Sequence, residues 1–190
     1  VHWHQSTKIE KTRFVEKKSN QMITRVDDGE IEKCDTLNFL SPRQKKTIDK
    51  SDFVIISDYN KGYLDSNIID EISKLAKLTI MDTKKKLSGS MIMDIDFVKL
   101  NETEYQNNKE LVDLYPEKFI ITLGSEGCMY NHVVYPSSNP KETIDVSGAG
   151  DTFTASFILK YHETNDIPTS LKFANDMASI VVSKRGVATP

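Results

Sequence analysis

The sequence predicts an α/β protein whose strands form a mostly parallel sheet. Three observations point there. Short, nearly continuous apolar runs recur at Asp52-Phe53-Val54-Ile55-Ile56-Ser57, Leu78-Thr79-Ile80-Met81, Phe97-Val98-Lys99-Leu100 and Phe119-Ile120-Ile121-Thr122; strands covered on both faces of a parallel sheet read this way. Between them lie stretches with apolar residues at helical spacing, so strand and helix alternate along the chain. A glycine turn then leads into a last third that reads as two helices.

Taken in order, Lys11-Thr12-Arg13-Phe14-Val15-Glu16 and Gln21-Met22-Ile23-Thr24-Arg25-Val26 flank the polar turn Lys17-Lys18-Ser19-Asn20. Their alternation is that of a β-hairpin with one wetter face. Ser41-Pro42 opens a helix, with serine as N-cap and proline at the first helical position. The run from Asp52 to Ser57 is then a strand buried on both faces. A helix over Ser66–Lys77 places Ile68, Ile69, Ile72, Leu75 and Ala76 on one side. One helix is expected over Glu102–Leu114. A hairpin follows at Gly127–Tyr130 and Val133–Tyr135, and helices at Ala149–Glu163 and Pro168–Ser183. In such sheets ligands bind at the carboxyl ends of the strands, and every motif below falls at one.

The bulk numbers bound the function. With 190 residues the chain can build one domain with a real core. At 38% hydrophobic and 28% charged it has an ordinary soluble composition. A net charge of -3 gives no basic footprint for nucleic acid. The cluster Lys84-Lys85-Lys86 reads as solvated surface. No apolar run is long enough for a membrane span, and Val1-His2-Trp3-His4 is not the start of a signal peptide. Cys34 and Cys128 form no CxxC or Cys/His cluster, so a structural zinc is not expected. Two distant cysteines suit a reducing compartment, here the cytoplasm, with a single disulfide left open. The chain begins without methionine and is expected to be a fragment or a processed form.

The most informative segment is Asp145-Val146-Ser147-Gly148-Ala149-Gly150-Asp151-Thr152-Phe153. Small residues let the backbone turn tightly and leave its N–H groups uncovered. A helix starts at once, so those groups and the positive end of its dipole converge on one spot. An anion hole results, with Asp151 beside it, able to take a proton from an alcohol. On residues alone, a plain glycine turn with Asp151 stabilising the helix is equally good. The Walker A pattern is lacking, which disfavours a P-loop ATPase.

This segment resembles the D-T-x-G-A-G-D motif of the PfkB/ribokinase family of carbohydrate kinases. Asp145 and Ser147 through Asp151 match, while Val146 replaces the usual threonine. The resemblance implies a ribokinase-like three-layer α/β/α fold and a small β-hairpin lid. It implies Asp151 as catalytic base, with the N–H groups around Gly148, Ala149 and Gly150 forming the hole for the γ-phosphate. Members use ATP and Mg²⁺, and often a monovalent cation such as K⁺ near this loop; the Val146 change leaves that cation open here.

Other segments fit in family order. Asn101 and Glu104 match an N-x-x-E motif; one helical turn apart, they could hold hydrated Mg²⁺, or simply cap the helix. Thr122, Gly124 and Gly127 match a T-x-G-x-x-G turn beneath the nucleotide, which is also a β-turn. Ala174-Asn175 and Lys184-Arg185-Gly186-Val187-Ala188 resemble the adenine-pocket helix and the loop after it, placing Asn175 and Gly186 near the nucleotide.

Ser57-Asp58-Tyr59-Asn60-Lys61-Gly62-Tyr63-Leu64 resembles the S-D-Y-x-K-G-x-L run of one subgroup, the D-glycero-D-manno-heptose-7-phosphate kinases. The stretch from Lys11 to Asp27 and Asp82-Thr83-Lys84 resemble the same subgroup. Asp58 could bind sugar hydroxyls or cap its turn; Lys61 or Lys84 could neutralise a phosphate. The resemblance makes residues 1–190 an N-terminally incomplete kinase domain, with a lid hairpin at 8–30 and a nucleotide-binding and catalytic core at 50–190. The family's first strands and glycine-rich sugar loop would precede it, and the segment between Glu104 and Phe119 is short for the family.

The implied partners are ATP and a sugar or sugar phosphate, with neither nucleic acid nor membrane. The lid's open edge would suit a homodimer. Two alternatives stand beside heptose-kinase-like activity: a nucleotide-binding fragment or degenerate kinase without catalysis, and a same-fold kinase for a nucleoside or vitamin.

Overall fold

The computed structural model describes residues 10–17, 22–28, 35–137, 146–184 and 189–190. The first element is the expected hairpin. Strands β1 (Glu10–Val15) and β2 (Met22–Asp28) pair antiparallel, Thr12 opposite Val26, with a bulge between Phe14 and Val15. Phe14 and Val26 are both exposed. Part of the turn between the strands lies outside the described residues.

Helix α1 (Pro42–Lys50) starts as its sequence demands. Ser41 Oγ accepts from the Gln44 N–H, the Gln44 side chain accepts from the Ser41 N–H, and Pro42 needs no partner at the first turn. Strand β3 (Val54–Asp58) follows, then α2 (Ser66–Leu75), capped by the Asp65 carboxylate on the Ile68 N–H at 2.8 Å. Next come β4 (Thr79–Thr83), the single turn α3 (Gly89–Ile92) and β5 (Phe97–Asn101). Helices α4 (Glu102–Asn107) and α5 (Lys109–Leu114) lead through a 3-10 turn to β6 (Phe119–Thr122). Strands β7 (Cys128–Tyr130) and β8 (Val133–Tyr135) turn at Asn131 and His132, both with positive φ. Two long helices close the chain, α6 (Ala149–Thr164) and α7 (Ile167–Val182).

The sheet runs β3-β4-β5-β6-β7-β8, parallel from β3 to β6 and antiparallel after that. Alternate residues of each strand serve opposite faces. Met81, Val98, Phe119 and Ile121 meet Ile68, Ile69 and Ile72 of α2 and Val112 of α5 on one face. Ile80, Phe97 and Ile120 meet Phe153, Phe157 and Ile158 of α6 and Leu171 and Ala174 of α7 on the other. Each fully buried side chain of this size contributes about 1.5–3 kcal/mol. The result is three layers, helix, sheet and helix. Phe97 also meets the edges of Phe157 and Tyr161, at ring distances of 5.0 and 4.9 Å.

Two expectations need correction. The helix over 102–114 is broken in two at Asn108. That residue is buried, its Oδ1 accepts from the Leu87 N–H and its Nδ2 donates to the Glu104 carbonyl, both at 2.8 Å. Its backbone turns out of the helix to make those bonds. Strand β3 is also not covered on both faces. Among the described residues it pairs only with β4, and Ile55 is 38% exposed.

Among the described residues no helix is long and apolar enough to cross a membrane. Cys128 carries a free, buried thiol, so it is not in a disulfide.

Candidate active site

The carboxyl ends of the four parallel strands lie side by side. Asp58 ends β3 opposite Thr83 of β4, and Asn101 ends β5 opposite Thr122 of β6. Strands that stop together leave a crevice beyond their ends. The start of α6 faces that crevice. Gly148 takes a left-handed φ of 82°, which a side chain disfavours, and the chain enters α6 from it. The Ala149 N–H turns back to the Val146 carbonyl. The N–H groups of Gly150 and Asp151, in the first turn, have no acceptor inside the helix. Asp151 is exposed in that turn, where the dipole favours a negative charge.

Two cavities flank this helix start. One of about 440 Å³ is bordered by Thr122, Gly124, Gly127, Ala149, Gly150 and Asn175, a volume in the range of small-molecule sites. The other, about 140 Å³, is bordered by Asp58, Tyr59, Asp82, Lys84, Asn101, Glu104 and Asp151. It is too small to enclose a sugar by itself. Lys99, Asn101 and Gly150 border both cavities.

In the larger cavity Gly127 has φ 97°, and a Cβ there would lie 2.3 Å from the Tyr135 carbonyl oxygen. The turn after β6 can therefore nest against β8 only with glycine. Asn175 is buried in α7 and donates from Nδ2 to the same Tyr135 carbonyl at 2.7 Å. Its polar partner is the backbone. It also bonds the Cys128 thiol, which burial pushes up to about 12 against that smaller opposing effect. Ser137 Oγ borders the cavity, buried and without a hydrogen-bond partner among the described residues. An orphaned hydroxyl in a cavity of this size fits a ligand with polar groups such as ATP.

In the smaller cavity Asn101 and Glu104 form a capping box. Asn101 Oδ1 accepts from the Glu104 N–H and Glu104 Oε2 accepts from the Asn101 N–H, each at 2.8 Å. The capping alternative is thus realised, and it uses one carboxylate oxygen of Glu104. Among the described residues no cluster of three or more His, Cys, Asp or Glu could hold a metal. The donor set therefore fits Mg²⁺ only in its usual form, with waters and phosphates completing the shell.

Asp58 borders the smaller cavity and is tied into its own loop. It is buried, its Oδ1 accepts from the Asn60 N–H at 3.0 Å, and its Oδ2 accepts from Thr83 Oγ1 and pairs with Lys85 Nζ at 2.8 Å. Lys85 also donates to the Leu64 carbonyl. The capping alternative for Asp58 is thus realised, and one reading is corrected: the run at Lys84–Lys86 is not all solvated. Lys84 is exposed, with Nζ 5.0 Å from the centre of the Tyr59 ring. Tyr59 lies near the proposed base, its phenol pushed up by burial and then by the charges of Asp151 and Asp82. Lys61 lies in the same loop and does not border the cavity. Asp145 and Gly186 lie outside the described residues.

Lys99 escaped the reading from sequence. Its Nζ pairs with Asp82 Oδ2 at 2.9 Å, and the side chain is only 8% exposed. The available signal was a charge in the middle of an otherwise apolar strand.

Fold and crevice together define an α/β protein with a glycine-led helix start facing the carboxyl edge of its sheet. The family model described as pfkB family carbohydrate kinase matches residues 1–190, and the chain belongs to that family. It is 30% identical to the bifunctional protein HldE of Helicobacter acinonychis, over 95% of this chain and 45% of that protein. It is 32% identical to HldE of Helicobacter pylori strain ATCC 700392 / 26695, over 94% of this chain and 43% of that protein. The chain thus spans less than half the length of these curated relatives. Its fold is ribokinase-like. The ribokinase of Arabidopsis thaliana, solved with ribose and ATP, superposes with a TM-score of 0.72 at 18% identity, over 94% of this chain and 64% of that one. An adenosine kinase from Schistosoma mansoni gives 0.65 at 20% identity, over 79% and 56%.

Proposed function

We propose that this chain supplies the nucleotide-binding and phosphoryl-transfer part of an ATP-dependent carbohydrate kinase acting on a sugar or sugar phosphate, heptose-7-phosphate-kinase-like in its acceptor. The carrying observation is the position of Asp151, in the first turn of α6 and bordering a small cavity whose neighbour is large enough for a nucleotide. Membership of the pfkB family and the similarity to HldE proteins support the reading.

In it, the acceptor hydroxyl gives its proton to Asp151 as its oxygen attacks the γ-phosphorus. The bond from that phosphorus to the β–γ bridging oxygen breaks, and its electron pair leaves with ADP. The first-turn N–H groups of α6 meet the charge on the phosphoryl oxygens. The larger cavity holds the adenosine part, with Asn175 and the turn at Thr122–Gly127 on its walls. Glu104 and Asn101 would hold hydrated Mg²⁺, which when bound neutralises phosphate charge. Lys84, which borders the smaller cavity, would be a phosphate partner, with Lys61 of the loop after β3 as a second. The exposed Phe14 and Val26 of the hairpin support its role as a lid and a contact between two copies.

The test is Asp151→Asn in the whole protein, with ATP and a panel of sugars, sugar phosphates and nucleosides. Turnover should vanish while calorimetric nucleotide binding stays near wild type. Retained turnover sinks the base assignment. Wild-type nucleotide binding without any phosphorylated product favours the non-catalytic alternative.

A further inference from the structure

Strand β5 carries one charge at its centre. Phe97, Val98 and Leu100 are buried in the core, and so is Lys99. Removing an ammonium from water costs several kcal/mol even after the protein relaxes. Valine or isoleucine would fill the position without that cost.

Lys99 sits directly opposite Asp82 in the β4–β5 register, and the two are ion-paired. A buried pair of this kind is often structural. Two further observations separate this one from a simple pair. Lys99 borders both the larger cavity and the small one that Asp151 borders, so it stands at their junction. A Cβ on Gly150 would lie 3.2 Å from Lys99 Nζ, so the glycine leaves the ammonium uncovered at the start of α6. An ammonium has three donors, and among the described residues one acceptor, Asp82, is seen.

We propose that Lys99 is a further catalytic residue, its Nζ contacting the phosphoryl group as that group passes from nucleotide to acceptor, with Asp82 as its positioning residue. This rests on the kinase reading above. Lys99 neither gains nor loses a proton in the step. The acceptor proton still goes to Asp151, and the electron pair of the broken P–O bond still leaves with ADP. What the ammonium supplies is fixed positive charge where the transferring oxygens develop negative charge. A lysine suits this, since its compact charge sits on a flexible stem that can follow the phosphorus.

The experiment compares wild type, Lys99→Met, Asp82→Asn and the double variant in the whole protein. It measures kcat, thermal stability, and calorimetric affinity for ADP and for a non-hydrolysable ATP analogue. Lys99→Met should lower kcat by about a hundredfold or more, the loss seen when one charge-stabilising donor is removed. Its affinity for the ATP analogue should fall, while that for ADP, which has no γ-phosphate, holds. Because Lys99→Met strands the Asp82 charge, it could unfold the protein. The double variant leaves no stranded charge, and should be folded and as slow as Lys99→Met. Asp82→Asn alone should be impaired less, since the ammonium remains.

A folded double variant with kcat within about threefold of wild type overturns the proposal, as does equal loss of ADP and ATP-analogue affinity. Wild-type turnover combined with either result removes Lys99 alone. A wild type that binds no nucleotide removes the kinase reading and this proposal together.

Discussion

Asn175 donates its side-chain N–H to the Tyr135 carbonyl across 2.7 Å, and that bond ties α7 to the end of β8 at the wall of the larger cavity. Replacing Asn175 by alanine leaves a buried carbonyl without this donor and removes a cavity wall. A stability loss of about 1–3 kcal/mol is expected in urea unfolding. Nucleotide affinity should weaken in the same variant. An unchanged urea midpoint would mean that the bond carries no net stability.

Gly127 and Gly124 both have positive φ, yet only Gly127 is crowded. Gly127→Ala should therefore cost more than about 2 kcal/mol, from strain and the collision with Tyr135. Gly124→Ala meets open space and should cost about 1–2 kcal/mol, the ordinary penalty of a left-handed residue. Thermal melts of the two variants decide this. Equal melting temperatures would contradict the steric account.

Asp58 and Lys85 form a pair in which Asp58 is almost fully enclosed. Removing either partner alone should cost about 3–5 kcal/mol, because the other is left buried and charged. Lys85 retains 17% exposure, which puts the loss at the lower end for variants that leave the lysine. Asp58→Ala should thus show first as a lower melting temperature. A rise in the acceptor KM with the melting temperature unchanged would restore Asp58 as a substrate ligand.

Cys128 offers a pH test. Its thiol is pushed up from 9.0 to about 12 in the folded chain, chiefly by burial. The folded state therefore holds this proton more tightly than the unfolded state. The stability linked to it is fully present below pH 9.0 and is lost as pH rises towards about 12. The urea midpoint should fall over that window, and Cys128→Ala should fall less steeply. Identical slopes would show that the thiol does not contribute. Native Cys128 should also resist alkylation at pH 8 and react once unfolded.

The layered architecture was legible because its signals are local. β4, β5 and β6 are short apolar runs, and Ser41-Pro42 holds its own cap. The glycine turn was legible for the same reason, since Gly148 and the start of α6 are neighbours in the chain. What stayed hidden depends on partners far apart in sequence. Asn108 breaks its helix for the Leu87 N–H, 21 residues away. Thr83, which helps to enclose Asp58, lies 25 residues further on. Lys99 gains its place from Asp82, 17 residues away. A charge within an apolar strand was visible, but not whether it would find a counter-ion. Ile55 reads like any core residue; its exposure comes from the position of β3 in the sheet order.

The break at Asn108 has a consequence for how this chain tolerates changes of length. In a continuous helix, one inserted or deleted residue turns everything beyond it by roughly 100°. Here α4 ends after a few residues, and Asn108 is anchored by its own side chain to Leu87 and Glu104. Insertions or deletions within α5 or the turn before β6 would be absorbed downstream of that anchor. Asn101 and Glu104 would keep their orientation towards the crevice. The segment can shorten or lengthen without re-aiming the cap that borders the site.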